Sequence, residues 1–380
     1  MKISGNWIED KGTQALMKTL VDAGHEALFV GGCVRNALLG VPVADVDIST
    51  DATPERVIAL AKAAGLKPVP TGVEHGTVTV VSGGIPHEVT TFRKDVETDG
   101  RRAVVAFAKS VAEDAHRRDF TMNALYADAT GIVIDPLGGL ADLEARRVRF
   151  IDDAGDRIRE DYLRMLRFFR FHAHYGDPEL GMDPEALAAI AANLDGLDGL
   201  SRERVTAELL KLLGAPDPAP AMAAMDRAGV LSRLLPGADP RALAPLVHLE
   251  AGLPPDPLRR LAALGGEGPA DHLRLSNADA RRLAILRAET GSDKGISELG
   301  YRHDAATALN VALLRAAFSG MPLAADASGL AARGAAAVLP VKAVDLMPAL
   351  QGQALGSRLR DIESRWIASG FTLTREQLLS

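Results

Sequence analysis

The chain has 380 residues, 47% apolar and 24% charged, with 43 basic against 50 acidic side chains and a net charge of −7. That length exceeds one ordinary core and predicts two or more domains, and the balance excludes the low-hydropathy, high-charge signature of disorder. The acidic total excludes coating of nucleic acid by bulk charge, so any grip on RNA must come from a local basic surface.

The single cysteine, Cys33, rules out a disulfide framework within the chain and fits a reducing cytosol. It reads as a small packing residue or as a nucleophile without an evident activating partner. Residues 1–10 contain Glu9 and Asp10 and no long apolar run, so neither a signal nor a transit peptide is expected. No stretch approaches the ~20 apolar residues of a membrane span. Residues 13–23 predict an amphipathic helix, with Leu16, Leu20 and Val21 at helical spacing and Gly24 ending it. An apolar run at 27–30, then Gly31-Gly32, then a helical stretch at 34–39 read as strand, glycine turn and helix. The alternation at 45–49 predicts a strand. Thr53 and Pro54 predict a capped helix start, and Gly65 closes that helix. Strands are expected at 76–81 and 87–92, joined by a turn at 82–86. The charged run 94–103, with Asp99-Gly100, predicts a mobile loop. A helical stretch at 120–127 and a short strand at 131–134 complete a small α/β region. From about 156 onward the pattern is helical, broken by Pro and Gly clusters at 214–219, 253–257 and 264–269. The predicted class is α+β: an N-terminal α/β head with a mixed sheet, then an elongated all-α remainder.

Chemistry concentrates in a few places. Asp45-Val46-Asp47 puts two carboxylates on one strand face, where they repel unless cations lie between them. Hard oxygen ligands suit Mg²⁺, and two ions ~4 Å apart serve an in-line displacement. A solvated strand end is the other reading. Gly31-Gly32 lets backbone approach a phosphate at a helix N-terminus, and Arg35 sits in a first turn where the helix dipole disfavours a cation unless an anion is bound. An ordinary tight turn is the alternative. Glu88 is a third carboxylate in the same sheet, either a ligand or general base or a plain surface residue. Arg117-Arg118-Asp119 offers forked donors for phosphate and ribose, or a salt-bridge cluster at a helix start. Asp161, Arg164, Arg167 and Arg170 recur every three residues along one predicted helix. So many cations among apolar neighbours need anionic partners, and Asp161 answers only part of that by an i,i+3 pair. An acceptor-only and a donor-only side chain one turn apart can read the edge of a base. A structural ion-pair ladder is the other reading.

Taken together, Val30-Gly31-Gly32-Cys33-Val34-Arg35, Asp45-Val46-Asp47, the Glu88 strand, Arg117 to Leu125, Asp135-Pro136-Leu137-Gly138-Gly139, Glu160 to Arg164 and Ser201-Arg202-Glu203-Arg204 resemble the class II tRNA nucleotidyltransferases and their relatives, the bacterial poly(A) polymerases. The resemblance is specific over 28–215; Asp345-Leu346 and 357–371 are similar to the family's tail. It implies metal ligands at Asp45 and Asp47 holding two Mg²⁺ ions, with Glu88 assisting. It implies triphosphate contacts at Gly32 and Arg35, and ribose and phosphate contacts at Arg118 and Asp119. Asp161 and Arg164 match the pair that recognises C or A, and Arg167 and Arg170 match further nucleotide contacts. The division it implies is a catalytic nucleotidyltransferase head at 1–145, a selecting neck at 146–215, and a tRNA-binding body and tail at 216–380. The implied reaction adds C, C and A to a tRNA 3′ end from CTP and ATP, in the cytoplasm, with the acceptor arm as partner and neither a membrane nor a protein partner implied. Arg146, Arg147, Arg149 and Arg157 are candidates for the basic surface. Asn36 departs from the family's usual Asp. The isolated His303-Asp304 predicts no phosphohydrolase site. Poly(A) addition, CC-only or A-only addition, and a catalytically silent RNA-binding module are the alternatives. A metal-dependent glycosyltransferase also uses D-x-D but has no need of the arginine row.

Overall fold

The computed structural model describes residues 1–99, 102–250, 252–347 and 349–380. The expected α+β class is present. Asp10 caps the helix Lys11–Asp22, accepting from the N–H groups of Gly12 and Thr13 at 2.8 and 3.0 Å. Leu16, Met17 and Leu20 of that helix are fully buried, and it packs on the head sheet. That sheet has seven strands in the order β3-β4-β5-β2-β1-β8-β9. They are β1 Ala27–Val30, β2 Asp47–Thr50, β3 Lys67–Gly72, β4 Thr77–Ser82, β5 Ile85–Thr91, β8 Tyr126–Ala127 and β9 Val133–Ile134. β6 Arg93–Asp99 and β7 Arg102–Phe107 pair separately. Within the described residues, β2 and β5 form the sheet's parallel pair, and its other pairings are antiparallel. A parallel pair needs a long crossover. Here the crossover carries the helix Pro54–Ala63 and the β3–β4 hairpin. Thr53 caps that helix and Pro54 opens it, as expected.

Four expectations need correction. The strand expected at 45–49 starts at Asp47, because β1 ends at the Gly31 turn on one side and on the other the parallel register brings Pro86 of β5, which has no N–H, abreast of Asp45. The loop expected at 94–103 is mostly strand, and Gly100 and Arg101 lie outside the described residues. Its charged composition gives no apolar period from which a strand can be read. The helix expected at 120–127 is a 3₁₀ turn, Thr121–Asn123, followed by β8. Met122, Ala124, Leu125 and Tyr126 are all fully buried, so no periodicity distinguishes helix from strand there. β3 was not expected; Pro68 and Pro70 mark it as an edge strand.

The chain divides into two compact units, Met1–Leu212 with Ala224–Leu234, and Leu213–Ala223 with Leu235–Ser380. The second unit is helical. In its core Glu250 accepts from Arg259 Nε at 2.6 Å and Arg260 Nε at 2.9 Å. Asn310 and the carbonyls of Leu213 and Ala215 take up further guanidinium donors. Helices Ile296–Arg302 and Ala327–Ala336 meet backbone to backbone: a Cβ on Gly334 would lie 1.8 Å from the Ser297 carbonyl oxygen. Trp366 packs edge-on against Phe371 and Tyr301, with ring centroids 4.9 and 5.5 Å apart. No helix among the described residues is long and apolar enough to cross a membrane.

Candidate functional site

The parallel register sets Asp47, the first residue of β2, directly beside Glu88 of β5. Asp45 lies two residues upstream and is exposed, while Val46 between them is buried. The Asp47 carboxyl is pushed up to about 6, first by burial, then by the charges of Glu88 and Asp45; the charge of Arg118 opposes the rise. A half-buried carboxylate crowded by two others is relieved by a cation. No three acidic, imidazole or thiol groups among the described residues converge closely enough to cage a metal alone. Asp45, Asp47 and Glu88 are the carboxylates here that could serve a divalent cation, with water and substrate phosphates filling the rest of its shell.

Gly31 links β1 to the helix Gly32–Leu39 with φ 69° and ψ −116°, a conformation only glycine adopts readily. Cys33 is buried with its thiol pushed up to about 11 by burial, so it packs and does not act as a nucleophile. Arg35 is 5% exposed. Its Nη1 donates to Asn123 Oδ1 at 2.8 Å, and its Nη2 donates to Asn36 Oδ1 at 3.0 Å and Tyr175 Oη at 2.9 Å. Asn36, the departure from the family pattern, therefore gives Arg35 a neutral partner.

The Arg117–Arg118 pair is not at a helix start; it follows the helix Val111–His116. Its partner is Asp114, which the sequence reading missed. Asp114 is fully buried and accepts from Arg117 Nε at 2.8 Å, Arg118 Nη2 at 2.9 Å and Tyr126 Oη at 2.8 Å. Burial pushes its carboxyl up, but the two guanidiniums and Tyr126 outweigh this and hold it at about 2. Arg118 also reaches Ser49 on β2 at 3.2 Å. Its Nη1 lies 3.6 Å from the position a Cβ would take on Gly31, so the fork faces the glycine turn.

The arginine row is seated on the helix Leu163–Tyr175 by Phe120, Phe150, Phe168 and Phe171, whose rings approach to 4.8–5.7 Å. Asp161 is not on that helix. It lies in extended backbone after the helix Ala154–Glu160, and the i,i+3 pair with Arg164 does not form. Instead Asp161 accepts from Arg204 at 2.6 Å and from the Leu163 N–H at 3.1 Å. The Ser201–Arg204 segment thus braces it. Arg164 pairs with Glu160 at 2.5 Å and reaches the Arg117 carbonyl at 3.1 Å. Arg167 pairs with Asp119 and Arg170 with Glu208, each at 2.6 Å. The row is therefore an ion-pair ladder, with Glu208 also lying 4.0 Å from Arg167 Nη1. Asp119 also accepts from Asn123 Nδ2 at 3.2 Å and is held below the usual carboxylate range: its cation and hydrogen-bond donors outweigh burial, which pushes the other way. Glu208 and Tyr175 carried no local sequence signal. Asp114, three and four residues before the two arginines on one helical face, did.

Elsewhere, Arg146, Arg147 and Arg149 are exposed, with Arg149 paired to Asp142 at 2.8 Å. Arg157 is half-buried on Glu160 at 2.7 Å. His303 rests on Glu289, and Asp304 caps the helix Ala305–Ser319.

Residues 27–149 match the protein-family model described as "Poly A polymerase head domain", and 179–241 the one described as "Probable RNA and SrmB- binding site of polymerase A". Over 204 residues the chain is 42% identical to the human CCA tRNA nucleotidyltransferase 1, mitochondrial, and over 224 residues 44% identical to the CCA-adding enzyme of Geobacillus thermodenitrificans. These matches cover 53% and 58% of this chain; the chain spans about half the length of the curated relatives it matches, 47% and 54%. The crystal structure of the Bacillus stearothermophilus CCA-adding enzyme in complex with CTP is similar with a TM-score of 0.77 and 31% identity, over 94% of this chain and 93% of that one. The Thermotoga maritima CCA-adding enzyme complexed with tRNA shares the fold at a TM-score of 0.68 and 18% identity, over 96% and 92%.

Proposed function

The chain belongs to the class II CCA-adding enzyme family, and from that premise we propose that it adds C, C and A to the tRNA 3′ end from CTP and ATP, releasing pyrophosphate. The observation that supports this best is the Asp47 carboxyl, raised to about 6 by burial, Glu88 and Asp45 beside a glycine turn backed by two arginines. Asp45 and Asp47 would hold two Mg²⁺ ions, which would lower the pKa of the attacking 3′ hydroxyl and stabilise charge at the α-phosphate. Glu88, abreast of Asp47, takes the hydroxyl's proton. Gly32, Arg35 and Arg118 bind the triphosphate, and Asp119 steadies the ribose end. Asp161 accepts from the exocyclic amine that cytosine and adenine share, and Arg164 donates to the adjacent ring nitrogen. Uracil and guanine offer Asp161 a carbonyl oxygen and are refused. Arg167 and Arg170 make further contacts to the nucleotide. Residues 1–145 carry catalysis, 146–215 nucleotide choice, and 216–380 the grip on the tRNA acceptor arm by phosphate contacts and shape. A cytoplasmic location belongs to the same proposal.

Asp45→Ala abolishes addition and leaves tRNA binding in a gel shift nearly intact; robust addition by that variant overturns the proposal. The head match carries a poly(A) polymerase description, which favours a second reading, A-tail synthesis. Incubation with tRNA lacking its 3′ end and each nucleotide separately decides. Three defined additions that stop support CCA synthesis, a long A tail supports the second reading, and addition of C alone or A alone marks a partial enzyme.

A further inference from the structure

Arg35 is a buried cation held by neutral groups. Its guanidinium donates to Asn36, Asn123 and Tyr175, and it lies 4.0 Å over the Tyr175 ring and 5.1 Å over that of Phe171. None of these partners is a carboxylate, whereas Arg164, Arg167 and Arg170 each have one. Neutral dipoles and ring faces position a guanidinium without cancelling its charge, so Arg35 keeps its attraction for an anion. A Cβ on Gly32 would lie 3.8 Å from Arg35 Nη2, which places the cation under the glycine turn. Tyr175 is the last residue of the helix that carries Arg164, Arg167 and Arg170. One hydroxyl therefore joins the base-selecting helix to the phosphate turn, across 140 residues of sequence.

We propose that Tyr175 is a positioning residue for phosphate binding: its hydroxyl and ring hold Arg35 beneath the Gly31–Gly32 turn, so that grip on the nucleotide's phosphates depends on the seating of the selecting helix. This rests on Arg35 being a phosphate contact.

The test uses the full chain, with pyrophosphate and cytidine as competing inhibitors of CTP addition, and compares Tyr175→Phe, Tyr175→Leu and Arg35→Lys. Losing a hydrogen bond to a charged group is worth roughly a ten- to hundred-fold change. Tyr175→Phe should raise the inhibition constant of pyrophosphate and the KM for CTP by one common factor in that range. The constant for cytidine, which has no phosphate, should shift less than about twofold. Tyr175→Leu, lacking the ring face as well, should weaken pyrophosphate further. If Tyr175→Phe leaves pyrophosphate inhibition unchanged while Arg35→Lys weakens it, the proposal falls and Arg35 stands as a phosphate contact. Equal weakening of cytidine and pyrophosphate with a lower thermal midpoint assigns Tyr175 a merely structural role and also overturns it. If Arg35→Lys has no effect on pyrophosphate, the reading of Arg35 fails and takes the proposal with it.

Discussion

Replacing Asp47 by Asn should stabilise the metal-free protein at neutral pH. The native carboxyl titrates at about 6, against an ordinary aspartate value of 3.8. Between those values the native state binds the extra proton, so stability falls as pH rises from about 4 to 6, and the full penalty is present above 6. At 1.36 kcal/mol per pH unit the ceiling is about 3 kcal/mol. Asp45 and Glu88 are exposed, and solvent screens their repulsion, so ~1–3 kcal/mol is expected. Asn keeps the shape of the protonated acid and removes the charge. Urea unfolding of both proteins in EDTA, from pH 4.5 to 8, measures the difference. It should be small at pH 4.5 and largest at pH 8. Adding MgCl₂ at pH 8 should then stabilise the wild type more than the variant, closing the gap. A difference independent of pH, a variant less stable at pH 8, or equal stabilisation of both by Mg²⁺ would refute the account of the carboxylate cluster.

Asp114→Asn leaves the half-buried Arg117 and Arg118 without their carboxylate, and a loss of ~3 kcal/mol in denaturant unfolding is expected, with KM raised for CTP and ATP alike. Gly334→Ala drives a methyl into the Ser297 carbonyl; unless the two helices separate it cannot fit, and thermal melts should show a loss of about 1–3 kcal/mol. His87 is fully buried and its pKa lies below the ordinary 6.5, chiefly through burial. Its stabilising contribution is therefore complete above 6.5 and lost as pH falls below it. Urea midpoints from pH 7.5 to 5 should decline less steeply in His87→Gln than in the wild type.

Local rules were legible where a residue's partner is close in sequence. Thr53-Pro54 announces its helix, Gly31-Gly32 its turn, and the Val- and Thr-rich run at 76–81 its strand, because each depends on neighbours within a few residues. The candidate site was legible as a set of residue types and only partly as an arrangement. Asp47 lies beside Glu88 because β2 and β5 run parallel, which follows from a crossover and not from either strand. Asp45 falls outside its strand because β1 is short and β5 offers it Pro86, both written elsewhere in the chain. The arginine row needs anions, and carboxylates of the chain itself supply them as an ion-pair ladder, the second of the two readings its sequence allows. Its partners Glu160, Asp119 and Glu208 come from three segments, and only tertiary structure gathers them. The run 93–107 shows the converse: pairing is set by register, and charge composition conceals it.

Those three rungs have a mechanical consequence. A helix that slips by one residue moves about 1.5 Å along its axis and turns about 100°. For the Leu163–Tyr175 helix, that slip would carry Arg164, Arg167 and Arg170 off their carboxylates at the same moment. A rigid slip therefore breaks the three pairs together, whereas a rotamer change at one arginine breaks only its own. Moved as a rigid body, the helix behaves like a key that either seats at full depth or does not turn. Any movement that accompanies a change of nucleotide and keeps the three pairs must therefore take Glu160, Asp119 and Glu208 along as one body, or be confined to side chains at the Asp161 end.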